Sequence, residues 1–136
     1  MAQLTQRDLH TPHNAANIRK IRARMEAIRS RQTAAATLTE TYSLDVAGAV
    51  REITFLANAV PAAGESLTID VQRNGVSVLA AAFVYNNTRT ARTLYNLTLA
   101  ANANIAMGDQ LTVIRTYVAG GGPTPIGSSV VAVEIA

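Results

Sequence analysis

From residue 38 onward, apolar and polar positions alternate with a period of two. Leu67, Ile69 and Val71 alternate with polar residues, and Val131 and Val133 do the same near the C-terminus. This period places the apolar side chains on one face of a β-strand. We predict seven strands, over residues 38–46, 51–60, 67–72, 76–85, 92–99, 111–118 and 130–135. Short strands divided by frequent turn signals predict a mainly β fold, an antiparallel β-sandwich or jelly-roll-like domain spanning residues 37–136.

Turn residues separate these strands at several points. Asn74-Gly75 lies between two runs of alternating residues, and both residues accept the positive φ that a tight type I′ hairpin requires. Gly108-Asp109 precedes the strand at 111–118, and residues 120–125 form a loop of three glycines and two prolines. The sequence therefore predicts a hairpin at residues 74–75 and a long loop before the last strand.

The first 36 residues have a different pattern, which predicts an N-terminal extended arm followed by an α-helix. Residues 1–13 are polar, Asn14 is a good N-cap, and no Gly or Pro interrupts residues 15–33. One apolar stripe runs along this predicted helix, because four apolar residues follow one another at spacings of three, four and three positions. These residues are Ile18, Ile21, Met25 and Ile28.

Two interpretations of this stripe remain open. It is typical of an amphipathic helix docked on its own domain, and it also fits the a and d positions of a coiled coil, where isoleucine at both favours three or four strands. The flanking arginines would repel one another across a parallel homo-oligomer, so an acidic partner surface suits the helix better. We therefore predict that the helix binds a partner through Ile18, Arg19, Ile21, Arg22, Arg24, Met25, Ile28, Arg29 and Arg31.

The charge distribution also divides the chain. Residues 1–33 carry seven basic and two acidic groups, a net charge of +5, while residues 34–136 carry five and seven, a net charge of −2. A basic segment on a slightly acidic body indicates two roles. Because basic residues surround the predicted helix, no aromatic residue is interleaved and the body is acidic, we disfavour nucleic acid as its partner.

Composition limits the class of protein. A chain of 136 residues with 49% hydrophobic and 15% charged residues has room for one packed domain. The absence of cysteine excludes disulfides and thiolate metal sites. We find no signal peptide and no apolar run long enough to span a membrane, so we expect synthesis in the cytoplasm and no membrane association.

Candidate catalytic chemistry is sparse. The two histidines, His10 and His13, lie in the predicted arm with only Asp8 near them, whereas a metal site needs three or four converging ligands. A catalytic triad would have to use a histidine from that arm, and the acidic residues are scattered over predicted strands and turns. We expect no enzyme, no metal and no cofactor.

Two segments of the β region resemble a known class of virion protein. Residues 66–79 contain Val-Gln-Arg-Asn-Gly followed by a second strand, and residues 106–113 contain Gly-Asp-Gln-Leu-Thr-Val, ahead of a glycine-rich loop and the terminal strand at 130–135. These motifs resemble the β domains of tailed-bacteriophage capsid decoration (cement) and head-fibre proteins. The resemblance covers about residues 65–136, and its motifs are structural ones.

The resemblance implies a structural protein of the virion. It implies a homotrimer on the outer surface of the capsid, synthesised in the host cytoplasm, that stabilises the shell by bridging subunits of the major capsid protein. One alternative is a base or adaptor for a head fibre or tail appendage. An alternative of another class is a carbohydrate-binding module for host surface glycans, although four tyrosines and no tryptophan give few aromatic rings for stacking on sugars.

Overall fold

The computed structural model describes residues 27–101, 103–120 and 126–136, and this part of the chain is mainly β. Its strands are β1 (Ala27–Gln32), β2 (Leu38–Ser43), β3 (Gly48–Ala57), β4 (Ser66–Arg73), β5 (Val76–Ser77), β6 (Phe83–Asn86), β7 (Tyr95–Asn96), β8 (Asn104–Ile105), β9 (Gln110–Val118) and β10 (Ser129–Ile135). Within these ranges no helix is long and apolar enough to cross a membrane.

The strands form two antiparallel sheets of five strands each. Sheet I has the order β1-β10-β3-β7, with β8 also paired to β3. Sheet II has the order β2-β9-β4-β5, with β6 also paired to β4. All of these strand pairs are antiparallel, so the predicted mainly β, antiparallel character is confirmed. Strands that are adjacent in sequence often lie in different sheets.

The inner faces of the two sheets share one hydrophobic core. Leu67, Ile69 and Val71 of β4 are fully buried, and they alternate with half-buried residues as predicted. Phe55 of sheet I lies 5.0 Å, between ring centroids, from Tyr85 of sheet II. Burial of these alternate side chains is the main force that holds the sheets together, at about 25 cal/mol for each Å² of apolar surface removed from water.

The predicted turns agree with the backbone. Asn74 and Gly75 have φ values of 48° and 84°, and β4 and β5 pair on either side of them. Gly108 has a φ of 90° directly before Asp109 and β9. Gly48 is the first residue of β3, and glycine is needed there because a Cβ would lie 2.7 Å from the backbone oxygen of Ala136.

Two predicted strands are shorter than expected. Residues 76–85 form only β5 and β6, separated by five residues, and residues 92–99 form only β7. The backbone of both segments pairs irregularly, through a single bridge between Leu79 and Leu99. Burial does not alternate between β5 and β6 either, since Val78 and Leu79 are both buried and residues 80–82 are all exposed.

The predicted helix is wrong over its last residues. Residues 27–32 form strand β1, which pairs with β10 along its whole length. Ile28, Ser30 and Gln32 turn inward and alternate with the exposed Arg29 and Arg31. The same residues therefore satisfy a period of two, and pairing with β10 decides between the two patterns. Strand β1 also lies before the domain boundary predicted at residue 36, so the β region extends back to residue 27.

Candidate interaction surfaces

The predicted partner-binding residues fall into two groups. Ile18, Arg19, Ile21, Arg22, Arg24 and Met25 lie outside the described residues, as do His10 and His13. Ile28 is half-buried and packs against the core of its own domain, so it is not free to bind a partner. Arg29 and Arg31 are exposed, and no described carboxylate pairs with either of them.

The outer face of sheet I carries separated charges. Glu134 of β10 lies directly opposite Glu52 of β3, with Ala27 of β1 on the other side of Glu134. Arg31 lines an open groove of about 420 Å³ at the opposite end of the strands, together with Arg92. Arg92 has a φ of 56°, a conformation that is uncommon for a residue with a side chain. This face therefore combines charged residues with an apolar strip of Leu56, Val130 and Ala132.

The outer face of sheet II is different, because most of its side chains are β-branched and all but one are uncharged. We call it the threonine face, and it comprises Thr39 and Thr41 of β2, Thr112, Ile114, Thr116 and Val118 of β9, Ser66, Thr68, Asp70 and Gln72 of β4, and Val84 of β6. These residues lie side by side in the sheet register; for example, Thr68 lies between Thr116 and Val84.

The single charged side chain of the threonine face is held within the sheet. Asp70 accepts hydrogen bonds from Gln72 Nε2 at 3.0 Å and from Ser77 Oγ at 2.5 Å. Thr41 and Thr112 share a hydrogen bond between their hydroxyl oxygens at 3.1 Å. The hydroxyls of Thr39, Thr68 and Thr116 have no such partner within the described residues, so a surface that covers the face must supply hydrogen bonds to them in place of water.

A buried arginine links the two sheets in the interior. Arg115 points inward from β9 and has no exposed surface. Its Nη2 donates to the backbone oxygen of Ser30 at 2.7 Å, and its Nη1 donates to Ser30 Oγ and lies 3.4 Å from Glu40 Oε1. Ser30 Oγ and the Tyr42 hydroxyl donate to the two oxygens of Glu40, at 2.8 Å and 2.7 Å. The cluster therefore connects β1 of sheet I to β2 and β9 of sheet II.

The titration of this cluster follows from its contacts. The hydrogen bond from Tyr42 is the largest effect on Glu40 and lowers its pKa. Burial is the next largest effect and raises this pKa, while the hydrogen bond from Ser30 and the charge of Arg115 lower it further. Burial raises the pKa of Tyr42, and burial lowers the pKa of Arg115. The charges of Arg115 and Glu40 neutralise one another. Arg115 Nε is the atom of this cluster that has no hydrogen-bond partner within the described residues. The contacts of the cluster are those of a structural link between the sheets.

The two motifs on which the sequence resemblance rests meet at one corner of sheet II. Asp109 accepts from Arg73 Nε at 2.6 Å, from Asn74 Nδ2 at 2.9 Å and from the backbone N–H of Ala106 at 2.7 Å. The backbone N–H of Gln110 donates to Asn74 Oδ1 at 2.9 Å. The bond from Ala106, then those from Asn74 and Arg73, lower the pKa of Asp109 from 3.8 to about 2. Both motifs therefore stabilise a turn.

A second groove, of about 530 Å³, lies where β6 of sheet II approaches β7 of sheet I; we call it the β6–β7 groove. Arg89 lies over the rings of Phe83 and Tyr95, with its Cζ 4.7 Å and 5.4 Å from their centroids. Arg89 Nε donates to the backbone oxygen of Val84 at 3.1 Å. The sequence pattern gives no sign of this groove, because Arg89 lies in the loop after β6 and contacts the ring of Tyr95 in β7 of sheet I.

No group of three histidines, cysteines or acidic residues that could hold a metal ion occurs within residues 27–101, 103–120 and 126–136. Comparison with known proteins adds no relationship: no family model matches the sequence, and no curated protein is significantly similar to it.

Proposed function

We propose that the chain is a structural protein of a bacteriophage virion, a capsid decoration or cement protein that binds the outer surface of the head. In this role it stabilises the shell by bridging subunits of the major capsid protein, and it acts as a homotrimer. The finer architecture proposed with it is a β-sandwich of jelly-roll type. The motifs at residues 71–75 and 108–113 support the proposal through their resemblance to such proteins, and the threonine face is the structural observation that carries it.

The threonine face suits the burial of a protein surface. Long charged side chains lose up to about 2 kcal/mol of rotamer freedom when they are immobilised, whereas short β-branched side chains are already restricted. The one charge of the face, Asp70, already accepts hydrogen bonds from Gln72 and Ser77, so part of its hydration is replaced within the sheet. Covering the face still requires partners for the threonine hydroxyls, while the Val and Ile surface favours burial.

The area of the face sets how many contacts are needed. The strands of this face, β2, β9, β4 and β6, have 6, 9, 8 and 4 residues. At about 4.8 Å between strands and about 3.3 Å for each residue, they give a face on the order of 400 Å². Stable interfaces bury about 800 Å² on each partner. One face of one copy is therefore too small for lasting attachment. Several faces in one trimer, or the basic segment before residue 27, would supply the rest, because linked contacts act at high effective concentration.

The test is binding of the purified protein to heads of its phage that lack it, measured by co-sedimentation. Thr68→Arg places a long cation in the middle of the threonine face, and we expect it to weaken binding by at least about tenfold, because the long side chain would hold the two surfaces apart and its charge would lose hydration in the contact. Thr54→Arg is the matched control, since Thr54 is an equally half-buried threonine in the middle of the outer face of sheet I.

Each outcome separates one part of the proposal. Loss of binding in Thr68→Arg alone, with both variants folded by circular dichroism, supports docking through the threonine face. Loss only in Thr54→Arg moves the contact to sheet I. If the unaltered protein does not sediment with the heads, the proposed function is wrong.

A further inference from the structure

The β6–β7 groove contains a guanidinium that is fixed in position but has free hydrogen-bond donors. Arg89 Nε is held by the backbone oxygen of Val84, and the rings of Phe83 and Tyr95 support the planar group from below. Those two rings lie 5.4 Å apart, so the guanidinium contacts both at once. No described residue accepts a hydrogen bond from either Nη atom. The donors at the outer edge of the guanidinium therefore lack a partner within the part of the chain that the structure describes.

Two other arginines, which face the interior or a turn, already have a carboxylate partner. Arg115 and Arg73 are paired with Glu40 and Asp109, at 3.4 Å and 2.6 Å. Among the residues that the structure describes, no Asp or Glu lines the β6–β7 groove. A planar guanidinium with two free Nη groups matches a carboxylate, which can accept two parallel hydrogen bonds from it. An arginine already ordered by stacking loses less rotamer entropy when it binds.

We propose that the β6–β7 groove is a carboxylate-binding site with Arg89 as its anchor, and that its occupant is an Asp or Glu side chain of a protein partner. The choice of a protein partner rests on the proposed function, whereas the carboxylate chemistry rests on Arg89 alone. Residues 80–82 of the groove wall are exposed alanines, which allow a partner backbone to approach closely. The exposed Asn96 adds an amide at the same wall.

The rings argue against an acidic sugar as the occupant. Sugars bind to protein through the free face of an aromatic ring, but Arg89 already covers Phe83 and Tyr95. Both rings also contact core rings, since Phe83 lies 5.5 Å from Phe55 and Tyr95 lies 6.2 Å from Tyr85. The aromatic residues of the groove are therefore supports for the guanidinium.

The experiment is an NMR titration of the full ¹⁵N-labelled chain, followed at the Arg89 Nε–H resonance and the backbone amides of residues 80–84. The probes are the peptide N-acetyl-Glu-Ala-Glu-amide, its neutral counterpart N-acetyl-Gln-Ala-Gln-amide, and glucuronate. We expect saturable shifts with the Glu peptide and none with the Gln peptide. Arg89→Lys keeps the charge but loses the planar pair of donors, and we expect it to bind about tenfold more weakly.

Arg51→Lys is the control, because Arg51 is an exposed arginine of β3 with no described carboxylate partner. Its titration should match that of the unaltered protein. Equal weakening in both variants, or shifts of the same size with the Gln peptide, would overturn the site. Tighter binding of glucuronate than of the Glu peptide would overturn the protein occupant. Because no phage head is present, a failure here leaves the sedimentation test of the threonine face unaffected.

Discussion

At the scale of single residues, Asp109 makes the most consequential polar contacts. It accepts hydrogen bonds from Arg73 and Asn74 and from the backbone N–H of Ala106. These bonds lower its pKa from 3.8 to about 2. A carboxyl with a lowered pKa in the folded state stabilises the fold above its ordinary pKa, and this contribution is lost as the pH falls through the folded value. The contribution of Asp109 is therefore complete above about pH 4 and disappears toward pH 2.

We expect Asp109→Asn to lower the urea midpoint at pH 7 and to reduce its dependence on pH between 4 and 2. The amide has one acceptor where the carboxylate has two, and its N–H₂ group faces the donors of Arg73 and Asn74. The measurement is a series of urea unfolding curves at pH 7, 4 and 2.5. Asp45→Asn serves as the control, because Asp45 is exposed and has no hydrogen bond within the described residues. Parallel pH profiles for Asp109→Asn and the unaltered protein would contradict this account.

At the scale of elements, much of the β region follows from the sequence. The alternation at residues 67–71 and 131–135 and the turn at 74–75 depend on local chemistry, and all three agree with the structure. Arg115 was predictable in part, since it stands at an inward position of β9 between Val113 and Tyr117. Its partner Ser30 was not, because the two residues are 85 positions apart and the segment around Ser30 also fits a helical pattern.

Strand β1 replaces the last part of the predicted helix. Removing this strand tests directly how much it contributes to the stability of the fold. We compare a chain that begins at Met25, which retains β1, with one that begins at Ala34. We expect the shorter chain to have a lower free energy of unfolding, because it loses the packing of Ile28 and both hydrogen bonds from Arg115 to Ser30, each worth about 1.5–3 kcal/mol since the donor is charged. The loss of β1 also exposes the edge of β10. Chemical denaturation of both chains gives the difference.

Arg115→Met separates the two causes of that loss. In the chain that begins at Ala34 it should recover part of the stability, since methionine fills the site without a buried charge. In the chain that begins at Met25 the same substitution should lower stability, because it removes the hydrogen bonds to Ser30 and the ion pair with Glu40. Equal stability of the two chains would show that β1 contributes nothing to the fold.

At the scale of the whole molecule, the assignment of Ile28 to β1 changes where a trimer could form. The proposed coiled-coil stripe keeps only Ile18, Ile21 and Met25, about one heptad, once Ile28 packs in the core of its own domain. Isolated helices shorter than about 12–15 residues are marginal in water, and a single heptad buries little. The N-terminal segment is therefore a poor candidate for holding three chains together, and the sheets become the better one.

We therefore expect a trimer both for the full chain, with three times its mass of 14.4 kDa, and for the chain that begins at Met25. Light scattering over a range of concentrations measures this mass directly. In that case the β region forms the oligomer, and the five basic residues before Met25 remain free for contact with acidic groups of the shell. A trimer seen only with the full chain would instead make the N-terminal segment the oligomerisation element. A monomer in both chains would contradict the trimer, and the threonine face of a single copy would then be too small for lasting attachment without the basic segment.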